Sequence, residues 1–218
     1  MAKITWDNSG ERYYETGVNH GVLYKYVNGQ YTDGVAWNGL TGIDETPDGA
    51  EANDLWADNI KYGSLRSAET YGGTITAYMS PPEFDACDGS QNLATGVTIG
   101  QQEREMFGLC YRTEVGNDTP STSDDAYKLH LVYGCMATPS ERSYETINDS
   151  PDAIELSWEF DTTPVNVTGH KPTSLVIIDS RTANKTKLTA LEDILYGSEN
   201  NEPRMPLPDE IARLMATA

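Results

Sequence analysis

The chain has 218 residues, with 34 acidic against 15 basic side chains and a formal net charge of −19. That length suits one substantial domain, and the charge argues against binding nucleic-acid phosphates, which needs clustered Lys and Arg. No apolar run approaches the roughly 18 residues that span a bilayer, Met1–Asp7 carries no apolar stretch of a signal peptide, and three cysteines without CxxC spacing fit synthesis in a reduced cytoplasm.

Residues 11–17 and 21–27 read as two short strands around Asn19-His20-Gly21, since aromatic and β-branched residues beside Gly and Asn signal a hairpin. Asn28-Gly29 and Asp33-Gly34 are further turn signals, and Val35–Leu40 resumes a strand. The segment Asp44–Asp54 is dense in acids and turn formers and is expected to be an exposed loop. So long a loop suits either a lid or a reach toward a partner. Residues 60–66 and 69–79 form the next pair of strands, ended by Pro81-Pro82, which cannot donate to a ladder. A loop follows at 83–90, then two long strands at 103–114 and 127–137 joined by a polar tip at 116–125.

Ala153–Asp161 is the clearest strand in the chain. Ile154, Leu156, Trp158 and Phe160 alternate with Glu155, Ser157, Glu159 and Asp161, which sends one set to a buried face and leaves the other face acidic. Ser174–Asp179 is apolar on both faces and is expected to be a central strand. Leu188, Leu191, Ile194 and Leu195 fall at helical spacings with Gly197 as a stop. Residues 207–215 open a second helix with a proline and two acids, both favoured in a first turn. These elements predict one domain over residues 1–218, a mainly β fold. Its expected form is an antiparallel β-sandwich or barrel with one or two flanking α-helices, a C-terminal helical segment at 187–216 and long loops.

No catalytic constellation or cofactor motif emerges, and the chain is expected not to be an enzyme. His20, His130 and His170 lack any HxH or HExxH partner, so no metal is expected, and the alternation of His130 with Leu129 and Leu131 places it on an outward face. Asp85–Gly89 lacks the EF-hand register, and no nucleophile elbow, dinucleotide loop or Walker loop follows a strand. Cys87, Cys110 and Cys135 have no CxxC spacing, and the last two sit in strand-like runs as small hydrophobes. Four tryptophans and 13 tyrosines keep a carbohydrate-binding β-sandwich module as an alternative.

Several stretches are informative as an ordered set: Val35–Thr41, Ala57–Tyr62, Phe84–Gly89, Phe107–Thr113, Lys128–Gly134, Ser157–Val165 and Leu191–Gly197. With them the chain resembles the major tail protein, or tail tube protein, of long non-contractile-tailed bacteriophages, from about residue 4 to about residue 215. The resemblance implies a β-sandwich subunit of the phage tail-tube type. Six copies would form a ring, and stacked rings a hollow tail through which DNA is ejected into the host cell. It implies no catalysis and no cofactor. The implied partners are further copies of the chain, with the tape measure, tail terminator and distal tail proteins. DNA passes through without specific binding, no membrane is involved, and the place is the virion tail after assembly in the bacterial host cytoplasm. An acidic lining would keep passing phosphates from adhering. On that view Glu155 and Glu159 are candidates to face the channel, and the 42–58 loop, with Asp44, Glu45, Asp48, Glu51 and Asp54, is a candidate for contact between stacked rings, as are the 116–125 tip and the 207–216 helix. Another virion baseplate or connector component is the alternative within the same class.

Overall fold

A computed structural model describes residues 3–119, 126–147, 149, 152–199 and 201–216. The strands are β1 Tyr13–Val27, β2 Gln30–Ala36, β3 Leu40–Gly49, β4 Ala52–Ala57, β5 Ile60–Arg66, β6 Glu69–Ala77, β7 Gln91–Ala94, β8 Val97–Ile99, β9 Phe107–Asn117, β10 Tyr127–Ala137, β11 Leu156–Thr162 and β12 Leu175–Asp179. Two helices close the chain, α1 Lys185–Leu195 and α2 Pro208–Met215. The fold is thus mainly β and antiparallel, with flanking helices, as the alternations predict.

The main sheet runs β2-β1-β9-β10-β11-β6-β3, and β12 also pairs with β10. Strand β10 changes partner along its length. Its first half, Lys128–Val132, pairs with β12, and Cys135–Ala137 pairs with β11. The change occurs at Gly134, whose φ of +65° only glycine adopts without strain. A side chain there would also meet Thr163, whose N–H donates to the Gly134 carbonyl at 2.9 Å.

One face of this sheet forms a core, and the other is covered over β1, β2, β9, β10 and β12. On the first, Leu23 and Trp37 from one end meet Ile75, Trp158 and Phe160 from the other, together with Phe84, Phe107 and Leu109, so the sheet folds over on itself. Trp37, Phe84 and Trp158 pack edge-on or tilted at centroid distances of 4.7, 5.6 and 5.7 Å, a geometry that contributes about 0.5–1.5 kcal/mol per pair beyond burial. On the other face, Tyr24, Cys110, Leu129, Leu131 and Tyr133 receive Leu188, Leu191 and Leu195 of α1 and Ile211 of α2. All three cysteines are buried and free. Asn184 caps α1 by accepting from the Lys187 N–H.

Four local expectations are corrected. Residues 13–27 are one strand bent by register shifts near Gly17 and His20, because both halves continue the same ladder with β9. Asp33-Gly34 lies inside β2, where Gly34 has too little room for a side chain beside Tyr24 and Pro203. Strand β12 is a short edge strand paired only with β10, and its Ile177 is half-exposed. Its apolar run serves the helices on one side rather than a central position. Finally, the 42–58 segment is not a loop. It comprises most of β3 and all of β4, and only Ala50 and Glu51 separate them. Strand β3 is itself an edge, and Pro47 there lacks the N–H that a further strand would need.

Candidate functional site

Strands β3 to β6 build one long hairpin. The β3–β6 ladder runs from Leu40↔Ala77 to Gly49↔Glu69, and the β4–β5 ladder continues from Ala52↔Arg66 to Ala57↔Ile60 around Asp58-Asn59. Both turn residues have positive φ, which Asp and Asn tolerate better than other residues with a β-carbon. The outer ribbon β4–β5 is a separate two-stranded sheet. Strand alternation and register put Leu55, Ala57, Ile60 and Leu65 on one of its faces. That face is uncovered: Leu55 is 41 % exposed, Ile60 62 % and Leu65 59 %, and Trp56 and Tyr62 are exposed as well. An isolated two-stranded ribbon is marginally stable in water, and exposed apolar side chains gain from being covered. The ribbon is also electrically balanced in a very acidic chain, with Asp54 and Asp58 against Lys61 and Arg66 over residues 52–66. Lys61 stands 2.8 Å from Asp54.

A second feature is an acidic face. In register across three strands, Asp44 faces Thr74, which faces Glu159; the next row on that side holds Thr46, Gly72 and Asp161. Asp48 has the same parity as Asp44, so Asp44, Asp48, Glu159 and Asp161 share the polar side of β3-β6-β11. Strand spacing puts Asp44 and Glu159 roughly 10 Å apart at the backbone. Asp48, Glu159 and Asp161 also border one open cleft with Tyr71 and Thr138. The opposite side of these strands carries Ile43, Ile75, Trp158 and Phe160 into the core. The alternation read from residues 156–161 therefore holds, but Glu155 and Ile154 precede the strand and both are exposed.

The third feature is a polar cluster around a buried histidine that alternation alone places wrongly. His130 is 6 % exposed and points inward, because the helices cover the Leu129 and Leu131 side while the folded-over sheet covers the other. Its ring stacks on Tyr111 at 4.7 Å. Nδ1 stands 3.2 Å from Glu45 Oε1, close enough for an ion pair when the ring carries both protons, though not aligned as a hydrogen bond. Nε2 lies 3.0 Å from the Thr113 hydroxyl, which itself donates to Glu15 Oε1. Lys128 pairs with the other Glu15 oxygen. The Tyr111 hydroxyl donates to Glu45 at 2.5 Å. Glu45 is held down to about 2, first by the His130 contact and then by Tyr111 against the opposing effect of burial. Burial raises Glu15, yet the bonds from Lys128 and Thr113 outweigh it and leave that carboxyl lowered.

The five candidate contact acids thus divide. Asp44 and Asp48 join Glu159 on the acidic face, Glu45 turns inward, Glu51 sits at the joint between β3 and β4, and Asp54 pairs within the ribbon. Of the 116–125 tip, residues 120–125 lie outside the described residues. Helix α2 packs on its own domain through Ile211, and its Asp209 accepts from both the N–H and the hydroxyl of Thr168. Among the described residues, no group of three or more His, Cys, Asp or Glu is placed to hold a metal ion. No described helix is long and apolar enough to cross a membrane. The apolar ribbon had a sequence signal, two β-rich runs around Asp58-Asn59, which the acids around it masked. The His130 cluster had none, since Glu15, Glu45, Tyr111 and His130 are widely separated along the chain. The chain matches no protein-family model, and no curated protein matches it.

Proposed function

We propose that this chain is a self-assembling structural subunit, a tail tube protein of a long-tailed phage, whose copies close into rings and stack into a tube for DNA. The observation that carries the reading is the β4–β5 ribbon: an apolar, charge-balanced two-stranded sheet exposed on an otherwise acidic chain. Such a ribbon gains stability by lying against another copy, and a contact between unlike surfaces of identical copies propagates or closes by rotation. The acidic face of Asp44, Asp48, Glu159 and Asp161 supports the second part of the reading. If it lines the channel, like charge keeps phosphates from adhering. The sixfold ring and the phage partners rest on the resemblance alone.

Electron microscopy of the purified protein tests the reading. Rings with a central hole, or tubes built from them, are expected. Exposed Trp56 and Tyr62 would also suit stacking on sugar rings, so a glycan array accompanies the microscopy. A protein that stays monomeric at high concentration and binds glycans overturns the tube.

A further inference from the structure

The His130 cluster joins parts of the molecule that the chain and the sheet keep apart. Glu45 belongs to β3, the last strand of the sheet, whereas Glu15 belongs to β1, next to the other end. His130 of β10 stands between their carboxylates, 3.2 Å from one and 3.6 Å from the other. Glu45 also marks where β3 leaves the core. Ile43 packs on the core, while residues 44–49 are exposed on the way to the ribbon.

We propose that Glu45, His130 and Glu15 form an acid-released clasp that fastens the base of the β3–β6 arm to the body of the domain. Every element around Glu45 contributes to the clasp: His130 from β10, Tyr111 from β9 and Tyr71 from β6, with Glu15 of β1, Thr113 of β9 and Lys128 of β10 behind the ring. Both tyrosines are raised above their ordinary value, first by burial and then by Glu45, so both stay protonated throughout the acid range, Tyr111 as the carboxylate's donor and Tyr71 as a neutral neighbour.

The direction follows from Glu45. Its carboxyl sits at about 2 in the fold against an ordinary 4.5. A carboxyl lowered by folding contributes stability that is complete above its ordinary value and drains as pH falls toward its folded value. The contribution of the Glu45 carboxylate to the clasp is therefore complete above about pH 4.5 and drains between there and about pH 2. Protonated Glu45 no longer offers the imidazole ring a charged β3 partner, and the base of the arm keeps only its ladder to β11 and the core packing of residues such as Ile43 and Ile75.

This inference concerns the free chain and stands whether or not the tube reading does. Residue-resolved hydrogen exchange of the free chain, corrected for the intrinsic pH dependence, tests it between pH 7 and pH 3. In the wild type, amides of β3 and β6 are expected to lose protection about tenfold on acidification, a figure discounted for the partly exposed carboxylate. Those of β9 and β10 should keep theirs. Glu45→Gln is expected to show the looser arm already at pH 7 and little further change in acid, and His130→Gln to behave alike. An arm equally protected in wild type and both variants at pH 7 overturns the clasp. So does acid loss that strikes β9 and β10 together with β3. Should either variant fail to fold, the wild-type profile decides.

Discussion

Replacing Leu55, Ile60 and Leu65 together by threonine separates association from folding. Threonine keeps the β preference of these positions and removes most of their apolar area. The three residues are 41 %, 62 % and 59 % exposed, so about half of each side chain is still open to water. Complete burial of such a side chain is worth about 1.5–3 kcal/mol, and covering the remaining half contributes about 1 kcal/mol each. The trio then supplies roughly 3 kcal/mol per contact, which is on the order of a hundredfold in the concentration needed for assembly. The free subunit should hardly notice, because exposed substitutions cost about 0.5 kcal/mol or less. Sedimentation velocity across a concentration series, beside urea unfolding of the dilute protein, reads both quantities. Unchanged assembly with unchanged stability refutes the role given to the ribbon. A large loss of stability refutes the description of these residues as uncovered.

Other consequences test the fold itself. Gly134→Ala must leave φ +65° and displace Thr163, whose carbonyl oxygen would lie 2.1 Å from the new carbon; a loss of about 3 kcal/mol or more in urea unfolding is expected. Gly29→Ala, with a similar φ and open space around it, should cost only about 1 kcal/mol and serves as the control. Tyr24→Phe removes the buried hydroxyl that donates to the Leu195 carbonyl at 2.7 Å and should cost about 1–3 kcal/mol, read as a shift of the thermal midpoint. Burial pushes Cys87 and Cys110 up to about 12 and Cys135 well above the ordinary thiol value, so none should react with a thiol reagent at pH 8 until the protein unfolds. Rapid labelling of the native protein would contradict the packing around them.

Much of the architecture was legible because period-two alternation survives wherever one face is buried and the other wet. Leu156, Trp158 and Phe160 face the core and Ser157, Glu159 and Asp161 do not, as their order in the chain requires. The same rule failed for His130, since alternation reports a buried face only when the other face is solvent, and β10 has cover on both sides. The 42–58 segment misled for a different reason. Its Asp, Glu, Gly and Pro are turn formers by composition, yet an edge strand with one open side and a solvent-exposed ribbon tolerate all of them. The hairpin was visible only in the pairing of residues 40–57 with 60–77, a relation between two segments that neither one carries alone.

Charge and apolar surface act in opposite directions in this chain, and their separation in space is what allows both. Copies that each carry −19 repel one another, and that repulsion opposes any assembly. Screening at physiological salt limits each charge to a range of about 8 Å, so the repulsion that matters is the one at the contact itself. Over residues 52–66 that local balance is zero, with Lys61 beside Asp54 and with Arg66 and Asp58 toward opposite ends. Four acids instead line up on the polar side of β3-β6-β11: Asp44, Asp48, Glu159 and Asp161. A subunit of the proposed tube needs this division: a neutral apolar element to hold its neighbours, and an acidic face kept off that contact. Glu45 sits between the two on β3, facing inward, where His130 and Tyr111 take up its charge before the strand reaches solvent.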